Sequence, residues 1–464
     1  MTTKDRIKGR RVGVIGMARS GLAAARIVRK LGGTPFVSDV KGEGQLISEL
    51  EELKSLEIDH EFGGHTDKLL KSDYIILSPG VPQSIPVMIK VREAGIPVFS
   101  EIELASWFCR GKIIGVTGSN GKTTTTSLIG AILSAAGIGN AVCGNIGAPF
   151  ADAVLDIPPD GYAVVEISNF QLETIEEFKP DIAMILNLTP DHLDRYDTFE
   201  DYKNAKYRIT ENQISSDYLI LNADDPVIDK NNISTGAKEI FFSTGRLLVN
   251  GVYLEGNKLV GKINGEKIEI IDINKIRIPG PHNLQNAAAA SLAALLIGIN
   301  PRDIASALER FPGVPHRLED AGAVAGIRFI NDSKATNVDS VCYALRSIKT
   351  PICLIAGGRD KGGSYKPILE HGKGRIKEII LIGEAREKIF EALGKTFPVQ
   401  FAESMEDAVK KAFDAASPGD TVLLSPACSS YDMFTNFEQR GEVFKNLVAS
   451  LKNGREHARN NSAN

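Results

Sequence analysis

The sequence is poor in cysteine and in aromatic residues: its 464 residues include five cysteines and one tryptophan, and 6% are aromatic. The cysteines are odd in number and widely scattered, which excludes both a disulfide framework and the paired spacing of a zinc site. We therefore expect free, buried thiols in a reducing compartment. The five positions are Cys109, Cys143, Cys342, Cys353 and Cys428.

Long hydrophobic runs and an excess of one charge are missing as well. The longest nearly apolar run, residues 287–299, is shorter than the ~20 residues of a membrane-spanning helix. The first residues contain no apolar signal-peptide core. With 54 basic and 58 acidic residues the net charge is −4, which excludes nucleic-acid binding through bulk positive charge. We expect a cytoplasmic protein with no membrane insertion and no nucleic-acid partner.

Glycine, by contrast, is abundant at 44 residues, and some glycines directly follow short apolar runs. These runs, at 11–16, 112–118 and 351–358, lack polar alternation, as is typical of strands buried on both faces in parallel sheets. Helix-like stretches lie between them, at 20–31, 124–136 and 286–296. The alternation predicts α/β domains with doubly wound sheets, which bind ligands at the carboxyl ends of their strands.

The length favours about three domains. We predict their limits at 1–102, 103–312 and 313–464, with the proline- and glycine-containing segment 311–317 as a hinge before the last domain. Between residues 243 and 278 short β-rich runs alternate with Asn-Gly pairs at 250–251 and 264–265. This segment predicts one or two hairpins inserted in the middle domain.

The strongest local motif is VTGSNGKTTTT, at 116–126, where an apolar strand meets a glycine-rich turn and a helix. Glycines let backbone N–H groups approach phosphate oxygens, and the helix N-terminus favours negative charge. Lys122 is expected to reach the outer phosphates and Thr123 to hold Mg²⁺. Val116 replaces the first glycine of the strict motif, which leaves a compressed GxxGKT form. The predicted ATP-binding residues of this loop are Gly118, Ser119, Asn120, Gly121, Lys122, Thr123 and Thr124.

Two weaker turns precede it. GMARSG, at 16–21, has the position of a dinucleotide fingerprint, with Asp39 at a suitable distance, but Ala18 replaces the central glycine. A smaller nucleotide or a sugar diphosphate on the helix N-terminus, near Ser20, fits these residues better than a nicotinamide cofactor. SPGVP, at 78–82, is either a second turn facing the same crevice or a simple strand-to-helix turn.

Two further positions, Glu166 and His192, suggest a metal site, whereas a third, Lys206, has little functional weight by its sequence context alone. Glu166 ends a strand-like run and can hold Mg²⁺ beside a phosphate loop, or it can be a surface glutamate in a turn. His192 lies between two acids after another buried strand, as a ligand, a base or part of a capping arrangement. Lys206 lies in a helix predicted to begin near Thr198, and its sequence context alone favours a solvated lysine.

Together these motifs resemble the Mur ligases. The resemblance rests on GSNGKTT, EISNFQLE, NLTPDHLDRY, YKNAKYRI, PHNLQNAAAA, PHRLE, NDSKATN, GGRDKGG and SPACSSYDMFTNFEQRG, and it runs from about Val12 to Phe444. The phosphate loop and HNLQNA are shared with all Mur ligases and with folylpolyglutamate synthases. NDSKATN and SPACSSYDMFTNFEQRG are typical of the branch that adds D-glutamate.

The resemblance implies three domains: a Rossmann-like N-terminal domain for the UDP-sugar, a central P-loop ATPase-type domain with a parallel sheet, and a C-terminal Rossmann-like domain for the amino acid. It also implies the substrates ATP, UDP-N-acetylmuramoyl-L-alanine and D-glutamate, with Mg²⁺ as cofactor. ATP is expected to phosphorylate the carboxylate of the UDP-sugar, and the amine of D-glutamate to attack the acyl phosphate. We expect a monomer.

The resemblance also assigns roles to single residues. Lys122, His192 and Lys206 are expected to be catalytic, and the metal ligands are expected to be Thr123, Glu166, His192 and Lys206, the last as a carbamate. For the nucleotide the further matches are Asn283, Asn286, Arg317 and Asp332. For the UDP-sugar and D-glutamate they are Arg19, Ser20, Gly80, Asn145, Ser168, Gln171, Thr336, Lys361, Ser430 and Phe437.

Some of these assignments have a structural alternative. Asn283 can be the N-cap of the helix before the alanine run, which is the sounder local interpretation. Asn169 stands where the family usually has a second serine, which puts that contact in doubt. Cys428 has no obvious base partner, so we interpret it as a packing residue rather than a nucleophile.

Two other functions stay open at this point. One is a Mur ligase or folylpolyglutamate-type ligase that adds a different amino acid. The other is a catalytically idle nucleotide-binding regulator, which should lack at least one of Lys122, Glu166, His192 and Lys206. All four are present, and the last third contains no Asp-Asn-Pro-Arg run, the mark of the diamino-acid-adding relatives.

Overall fold

The computed structural model describes residues 6–191 and 195–462. The chain divides into two compact units. The first comprises Met1–Leu188, Glu200–Ile276 and Gln285–Phe311, and the second comprises Thr189–Phe199, Arg277–Leu284 and Pro312–Asn464. The first unit contains two sheets and the second contains one.

The N-terminal sheet is parallel and has five strands in the order β3-β2-β1-β4-β5. Its strands are β1 (Arg11–Ile15), β2 (Thr34–Ser38), β3 (Asp59–Glu61), β4 (Tyr74–Leu77) and β5 (Val98–Ser100), and its helices are α1 (Arg19–Lys30), α2 (Ile47–Ser55), α3 (Pro86–Glu93) and α4 (Glu101–Ser106). Gly21 lets α1 start close to β1, because a Cβ there would overlap the carbonyl oxygen of Gly16. The expected Rossmann-like arrangement is confirmed.

The central sheet has nine strands in the order β14-β13-β12-β11-β10-β9-β6-β8-β7. Its strands are β6 (Lys112–Thr117), β7 (Asn140–Gly144), β8 (Tyr162–Glu166), β9 (Ile182–Ile185), β10 (Tyr218–Asn222), β11 (Lys238–Phe242), β12 (Gly251–Glu255), β13 (Lys258–Ile263) and β14 (Glu266–Asp272). The helices are α5 (Lys122–Ala135), α6 (Phe150–Ala153), α7 (Asn169–Leu172), α8 (Phe199–Tyr207), α9 (Pro281–Ile297) and α10 (Pro301–Arg310). The strands from β7 to β12 pair in parallel, and β8 and β9 are buried along their whole length.

The predicted hairpins lie at one edge of this sheet, where β12, β13 and β14 pair antiparallel. Asn264 and Gly265 form the turn between β13 and β14, both with positive φ. The prediction for Asn250 and Gly251 is wrong: Gly251 opens β12, which continues in parallel beside β11. The hairpin from β12 to β13 instead turns at Gly256, so the Asn-Gly pair alone did not identify the turn.

The sheet of the second unit has six strands in the order β15-β16-β20-β17-β18-β19. Its strands are β15 (Glu319–Val324), β16 (Ile327–Asn331), β17 (Ile352–Gly357), β18 (Ile376–Ile382), β19 (Val399–Phe401) and β20 (Thr421–Leu424), and its helices are α11 (Val338–Ser347), α12 (Pro367–Gly372), α13 (Arg386–Leu393), α14 (Met405–Ala415) and α15 (Phe437–Ser462). Only β15 runs antiparallel among these strands. Two apolar clusters form the core.

All five cysteines are free, and all but Cys109 are buried, which confirms the expected thiols. Burial raises the pKa of Cys428 to about 11. A thiol with such a pKa is almost entirely protonated at neutral pH, which fits packing rather than nucleophilic attack. Within the described part of the chain, no helix has both the length and the apolar character needed to cross a membrane.

A buried carboxyl group, Glu101, lies at the start of α4. It accepts a hydrogen bond from the backbone N–H of Ala151, while its second oxygen is buried with no partner within residues 6–191 and 195–462. Burial raises the pKa of Glu101 to about 8. Because the folded state holds this proton more tightly than the unfolded state, Glu101 makes the protein less stable as the pH rises from about 4.5 to about 8.

We expect Glu101→Gln to remove this pH dependence, since an amide keeps the accepting oxygen and cannot ionise. At pH 8.5 the variant should be more stable than the wild type, on the order of 2 kcal/mol, and at pH 4 the two should be similar. Urea unfolding at both pH values measures the difference. The exposed Glu51→Gln is the control. The prediction would be contradicted if the difference in unfolding free energy between Glu101→Gln and the wild type were the same at pH 4 and at pH 8.5.

Candidate active site

The phosphate loop connects β6 to α5 at the carboxyl edge of the central sheet. Gly118 and Gly121 both have positive φ, at 144° and 84°, a backbone conformation that side chains disfavour. A Cβ on Gly121 would also overlap Oδ1 of Asn286, which accepts a hydrogen bond from Thr125 at 3.2 Å. The two glycines therefore permit a tight turn that exposes backbone N–H groups at the N-terminus of α5.

Lys122 is the first residue of α5, and its side chain folds back over the loop. Its Nζ donates to the carbonyl oxygens of Gly118 at 2.7 Å and Ser119 at 2.9 Å. Thr123 and Thr124 are buried in the first turn of the helix. The loop thus gathers an ammonium group, hydroxyl groups and a helix N-terminus, which together suit a polyphosphate.

Asn187, which sequence reasoning missed, holds this loop in place. Its carbonyl oxygen accepts from the N–H of Ser119 at 2.9 Å. Its side chain accepts from the N–H of Asn120 at 2.8 Å and donates to the Asn120 carbonyl at 2.9 Å. In the sequence, Asn187 is recognisable only as an asparagine shortly after β9. Asparagine is common in the turns that follow strands, so this position alone does not indicate a role in the loop.

We expect Asn187→Ala to loosen the loop, because two side-chain hydrogen bonds are lost at about 1 kcal/mol each. ATP affinity should fall by about tenfold, with a smaller change in overall stability. Calorimetric titration with ATP measures the affinity. Asn212→Ala is a matched control, since the Asn212 side chain likewise makes two hydrogen bonds to the backbone, donating to the carbonyl oxygens of Glu176 and Phe178. Equal ATP affinity in both variants would contradict a positioning role for Asn187.

Glu166 ends β8, the strand beside β6, and pairs in register with Val116. Its Oε1 accepts from the Asn145 side chain at 2.9 Å, and its Oε2 is buried with no hydrogen-bond partner among the described residues. A carboxylate oxygen that is buried and unpartnered beside a phosphate loop fits Mg²⁺, which prefers carboxylate ligands. Asn145, predicted to contact the UDP-sugar, therefore also orients this carboxylate.

Lys206 lies on α8, and the prediction of a helix here is confirmed. Its side chain is only 1% exposed, so the solvated interpretation is wrong. Its Nζ lies 4.7 Å from the ring centre of Tyr202, whose hydroxyl is 2.8 Å from Oγ of Ser119. Tyr202, another residue that the sequence did not single out, thereby connects Lys206 to the phosphate loop.

The predicted metal ligand His192 lies outside the described residues. Among the residues that are described, no three His, Cys, Asp or Glu side chains converge as a metal-binding group. A ligand set made of Thr123, Glu166, His192 and a modified Lys206 stays a prediction.

The residues predicted for the UDP-sugar are spread along the first unit. Arg19 and Ser20 lie in the first turn of α1, where Arg19 approaches the carbonyl oxygen of Gly147 at 3.5 Å. Gly80 follows β4, and a Cβ at this position would meet no atom within 4 Å. Ser168 and Gln171 form a capping box at the start of α7. Both side chains thus stabilise the N-terminus of α7. Their contact with substrate stays a prediction.

In the second unit Asp332 follows β16 and is 1% exposed. It accepts from the N–H of Leu318 at 3.2 Å and from the Ser425 hydroxyl at 2.9 Å. Burial raises the pKa of Asp332 to about 6, against the opposing charge of Arg317. The Nε of Arg317 is buried, and no described residue accepts a hydrogen bond from it, so this guanidinium retains capacity for a ligand.

Asn283 is not the N-cap of α9. The helix begins at Pro281, and the Asn283 side chain donates to the carbonyl oxygen of Pro279 at 2.7 Å. Asn283 therefore lies within the first turn of α9, and its side chain holds the backbone that precedes the helix. A role in nucleotide binding stays a prediction.

Two residues predicted for D-glutamate come together in the second unit: Nζ of Lys361 donates to the Thr336 hydroxyl at 3.4 Å. Ser430 is buried, and Phe437 opens α15 with Nζ of Lys334 5.1 Å from its ring centre. An ammonium group and a hydroxyl group at this spacing provide donors suited to a carboxylate.

Arg440 was missed by sequence reasoning although it belongs to the FEQRG motif. Its guanidinium is 2% exposed and donates to the hydroxyl and carbonyl oxygens of Ser333 at 3.0 and 2.8 Å. It also donates to the carbonyl oxygens of Cys428 and Ser429 at 3.2 and 3.3 Å. Arg440 thus joins the loop that carries Thr336 to the loop that carries Ser430, two of the residues predicted for D-glutamate.

Three α/β sheets, the central one carrying a phosphate loop beside a buried carboxylate, define a multidomain nucleotide-binding protein. Family models match all three parts: the Mur ligase MurD-like N-terminal domain at 10–100, the Mur ligase middle domain at 116–294, and the Mur ligase glutamate ligase domain at 316–428. The chain belongs to the Mur ligase family.

Its relatives include two bacterial proteins named UDP-N-acetylmuramoylalanine–D-glutamate ligase. The protein of Thermoanaerobacter sp. (strain X514) is 45% identical over 96% of this chain and 99% of its own. The protein of Acidobacterium capsulatum is 45% identical over 95% and 96%. Similar solved structures include a pseudomurein peptide ligase type C of Methanothermus fervidus, 20% identical over 96% of this chain and all of its own, with a TM-score of 0.60. Another is the MurF ligase of Thermotoga maritima in complex with ADP, 17% identical over 90% and 95%, with a TM-score of 0.58.

Proposed function

We propose that this protein is an ATP-dependent ligase that adds D-glutamate to UDP-N-acetylmuramoyl-L-alanine in peptidoglycan precursor synthesis. The relatives that carry this name are 41–45% identical over 95–97% of the chain. The observation that carries the chemistry is the phosphate loop beside Glu166, whose buried Oε2 has no partner in the part of the chain that the structure describes.

The proposed reaction joins two anions, a carboxylate and a triphosphate. The γ-phosphoryl group moves from ATP to a carboxylate oxygen of the UDP-sugar, and ADP leaves. The N–H groups of the loop and the ammonium of Lys122 are positioned to stabilise the charge on the transferring group. Thr123 and Glu166 would hold Mg²⁺, which supplies further positive charge when bound.

The amine of D-glutamate then attacks the carbonyl carbon of the acyl phosphate, and inorganic phosphate leaves as the amide forms. Lys361 and Thr336, which are hydrogen-bonded to each other, are proposed to bind a carboxylate of D-glutamate. Ser430 and Phe437, from the separate motif at 425–441, are proposed as further pocket residues. Arg440 supports both loops and is proposed as a positioning residue. Asn283, Asn286, Arg317 and Asp332 are proposed for the nucleotide.

Lys206 is proposed to act as a carbamate. Its burial removes it from solvent, where a lysine usually lies, and its helix contacts the phosphate loop through Tyr202. A carbamate would replace a cation with an acidic oxygen ligand, which suits a magnesium site. His192 is proposed as another ligand.

The proposal includes the domain limits 1–102, 103–312 and 313–464, and each family model falls inside one of these ranges. It also includes a monomeric protein in the cytoplasm. The free cysteines agree with a reducing compartment.

Phosphate release with ATP, UDP-N-acetylmuramoyl-L-alanine and a panel of amino acids tests the function. We expect release with D-glutamate and none with L-glutamate, L-alanine, L-lysine or a diamino acid. Release with one of the other amino acids but not with D-glutamate would identify a different ligase. Nucleotide binding without any release would identify an idle regulator.

A further inference from the structure

A histidine that the proposed reaction does not use lies at the edge of the N-terminal sheet. β2 and β3 end side by side in register, so that Ser38 lies opposite Glu61. His65 follows β3 and is half-buried. Ligands of open parallel sheets bind at this carboxyl edge. His65 therefore lies at the edge where the sugar nucleotide is proposed to bind.

The loop that carries His65 is tied to the loops after β1 and β2. The N–H of Gly63 donates to the carbonyl oxygen of Lys41 at 3.0 Å. The Asp39 carboxylate accepts from the N–H of Met17 at 2.7 Å and from the N–H of Lys41 at 2.8 Å. The end of β1, where α1 provides the proposed phosphate site, and the His65 loop thus belong to one connected rim.

Hydrogen bonds fix the protonation of the His65 ring. Burial would raise the pKa of Glu61, but hydrogen bonds from Thr66 and Ser38 outweigh this and hold the pKa below its ordinary value. Glu61 is therefore a carboxylate and can only accept, so Ser38 donates to it at 2.8 Å. The Ser38 oxygen, 2.7 Å from Nδ1 of His65, must then accept from Nδ1–H.

The opposite nitrogen of His65, Nε2, carries the lone pair in this tautomer. It has no hydrogen-bond partner in the described parts of the chain, and His65 is accessible. Burial lowers the pKa of His65, and the facing charges of Asp39 and Glu61 only partly oppose this; Lys68 acts on Glu61 from the same loop region. At neutral pH the ring is thus a neutral acceptor held in one orientation.

We propose that Nε2 of His65 accepts a hydrogen bond from the uridine group of the sugar nucleotide and so contributes to its selection. This inference rests on the proposed function for the identity of that nucleotide. Uridine offers two kinds of donor, the imide N–H of uracil and the ribose hydroxyl groups. Cytosine has a lone pair where uracil has the imide N–H, so an acceptor at that position would discriminate between the two bases.

Calorimetric titration of the full chain with UDP, without ATP or D-glutamate, tests the inference. His65→Leu should bind UDP about tenfold more weakly than the wild type, because an oriented hydrogen bond is lost. His65→Gln, which retains an acceptor, should restore much of the affinity. His60→Leu is the matched control, since His60 lies on β3 and its Nδ1 contacts the Ile58 carbonyl at 2.9 Å.

Two further measurements distinguish between the two kinds of donor and test the effect of protonating His65. If the imide N–H is the donor, the wild type should bind UDP more tightly than CDP, and His65→Leu should not. If a ribose hydroxyl is the donor, the substitution should lower the affinities for UDP and CDP by the same factor. The affinity ratio of wild type to His65→Leu should also shrink as the pH is lowered through the pKa of His65, which burial holds below its ordinary value, because protonation removes the lone pair.

Equal UDP affinity in wild type and His65→Leu, or no UDP binding by the wild type, would overturn the inference. UDP binding that depends on His65, combined with no ligation of D-glutamate, would overturn the proposed function and leave the inference intact. If the wild type ligates D-glutamate but His65→Leu binds UDP as tightly as the wild type does, the inference about His65 would be overturned and the proposed function would stand.

Discussion

Replacing Lys122 by alanine is expected to lower kcat for phosphate release by about 10²–10³-fold, the usual cost of removing one charge-stabilising group from a preorganised site. Lys122 is the cation that the structure places over the phosphate loop, with its Nζ held by two loop carbonyl oxygens. The fold should survive, because the alanine keeps the helix start and helix propensity favours it. Steady-state kinetics with all three substrates measures the loss.

Lys112→Ala is the matched control for this variant. Lys112 is exposed and begins β6, the strand that leads into the same loop. We expect its kinetics to match the wild type. If Lys122→Ala retained more than half of the wild-type kcat, the proposed role of Lys122 in phosphoryl transfer would be wrong.

The second large effect is expected for Lys206→Ala, which should remove most turnover while the protein remains folded. The loss should again be about 10²–10³-fold if the buried side chain supplies a charged ligand to the magnesium site. Added bicarbonate should not restore activity, since alanine has no amine to modify. A short carboxylic acid such as acetate should restore part of it by occupying the vacated space.

Lys203→Ala controls for a general effect on α8. Lys203 lies one turn earlier and forms an ion pair with Glu200 at 2.7 Å. We expect this variant to keep its activity and to show no response to acetate. Wild-type activity in Lys206→Ala would remove the carbamate proposal. A loss of activity together with unfolding, seen by circular dichroism, would assign Lys206 a structural role instead.

Much of the fold was predictable because it is encoded in local patterns. Apolar runs followed by glycine located β1, β6 and β17, and the residues of 20–31 and 124–136 formed the helices expected there. The same dependence on local pattern explains why the turn predicted at Asn250 and Gly251 is wrong. An Asn-Gly pair suits a tight turn, but strand pairing with β11 decided the conformation of that residue.

The candidate site was predictable only in part. The phosphate loop is one continuous segment, so its residues could be identified together. Asn187 and Tyr202 contact that loop from 67 and 83 residues away, and no spacing in the sequence indicates which asparagine or tyrosine will do so. The contact of Asn187 follows from strand order, since β9 lies directly beside β6, whereas Tyr202 reaches the loop from the helix α8.

The sequence by itself determined the α/β class, the phosphate loop and the resemblance to a family, because strand and helix periodicity and a contiguous motif are properties of neighbouring residues. Only the tertiary structure decided that Lys206 is buried, that one oxygen of Glu166 has no partner among the residues described, and that Arg440 joins two distant loops. Burial and hydrogen bonding depend on which elements pack together, and packing sets both the charge state and the orientation of a side chain.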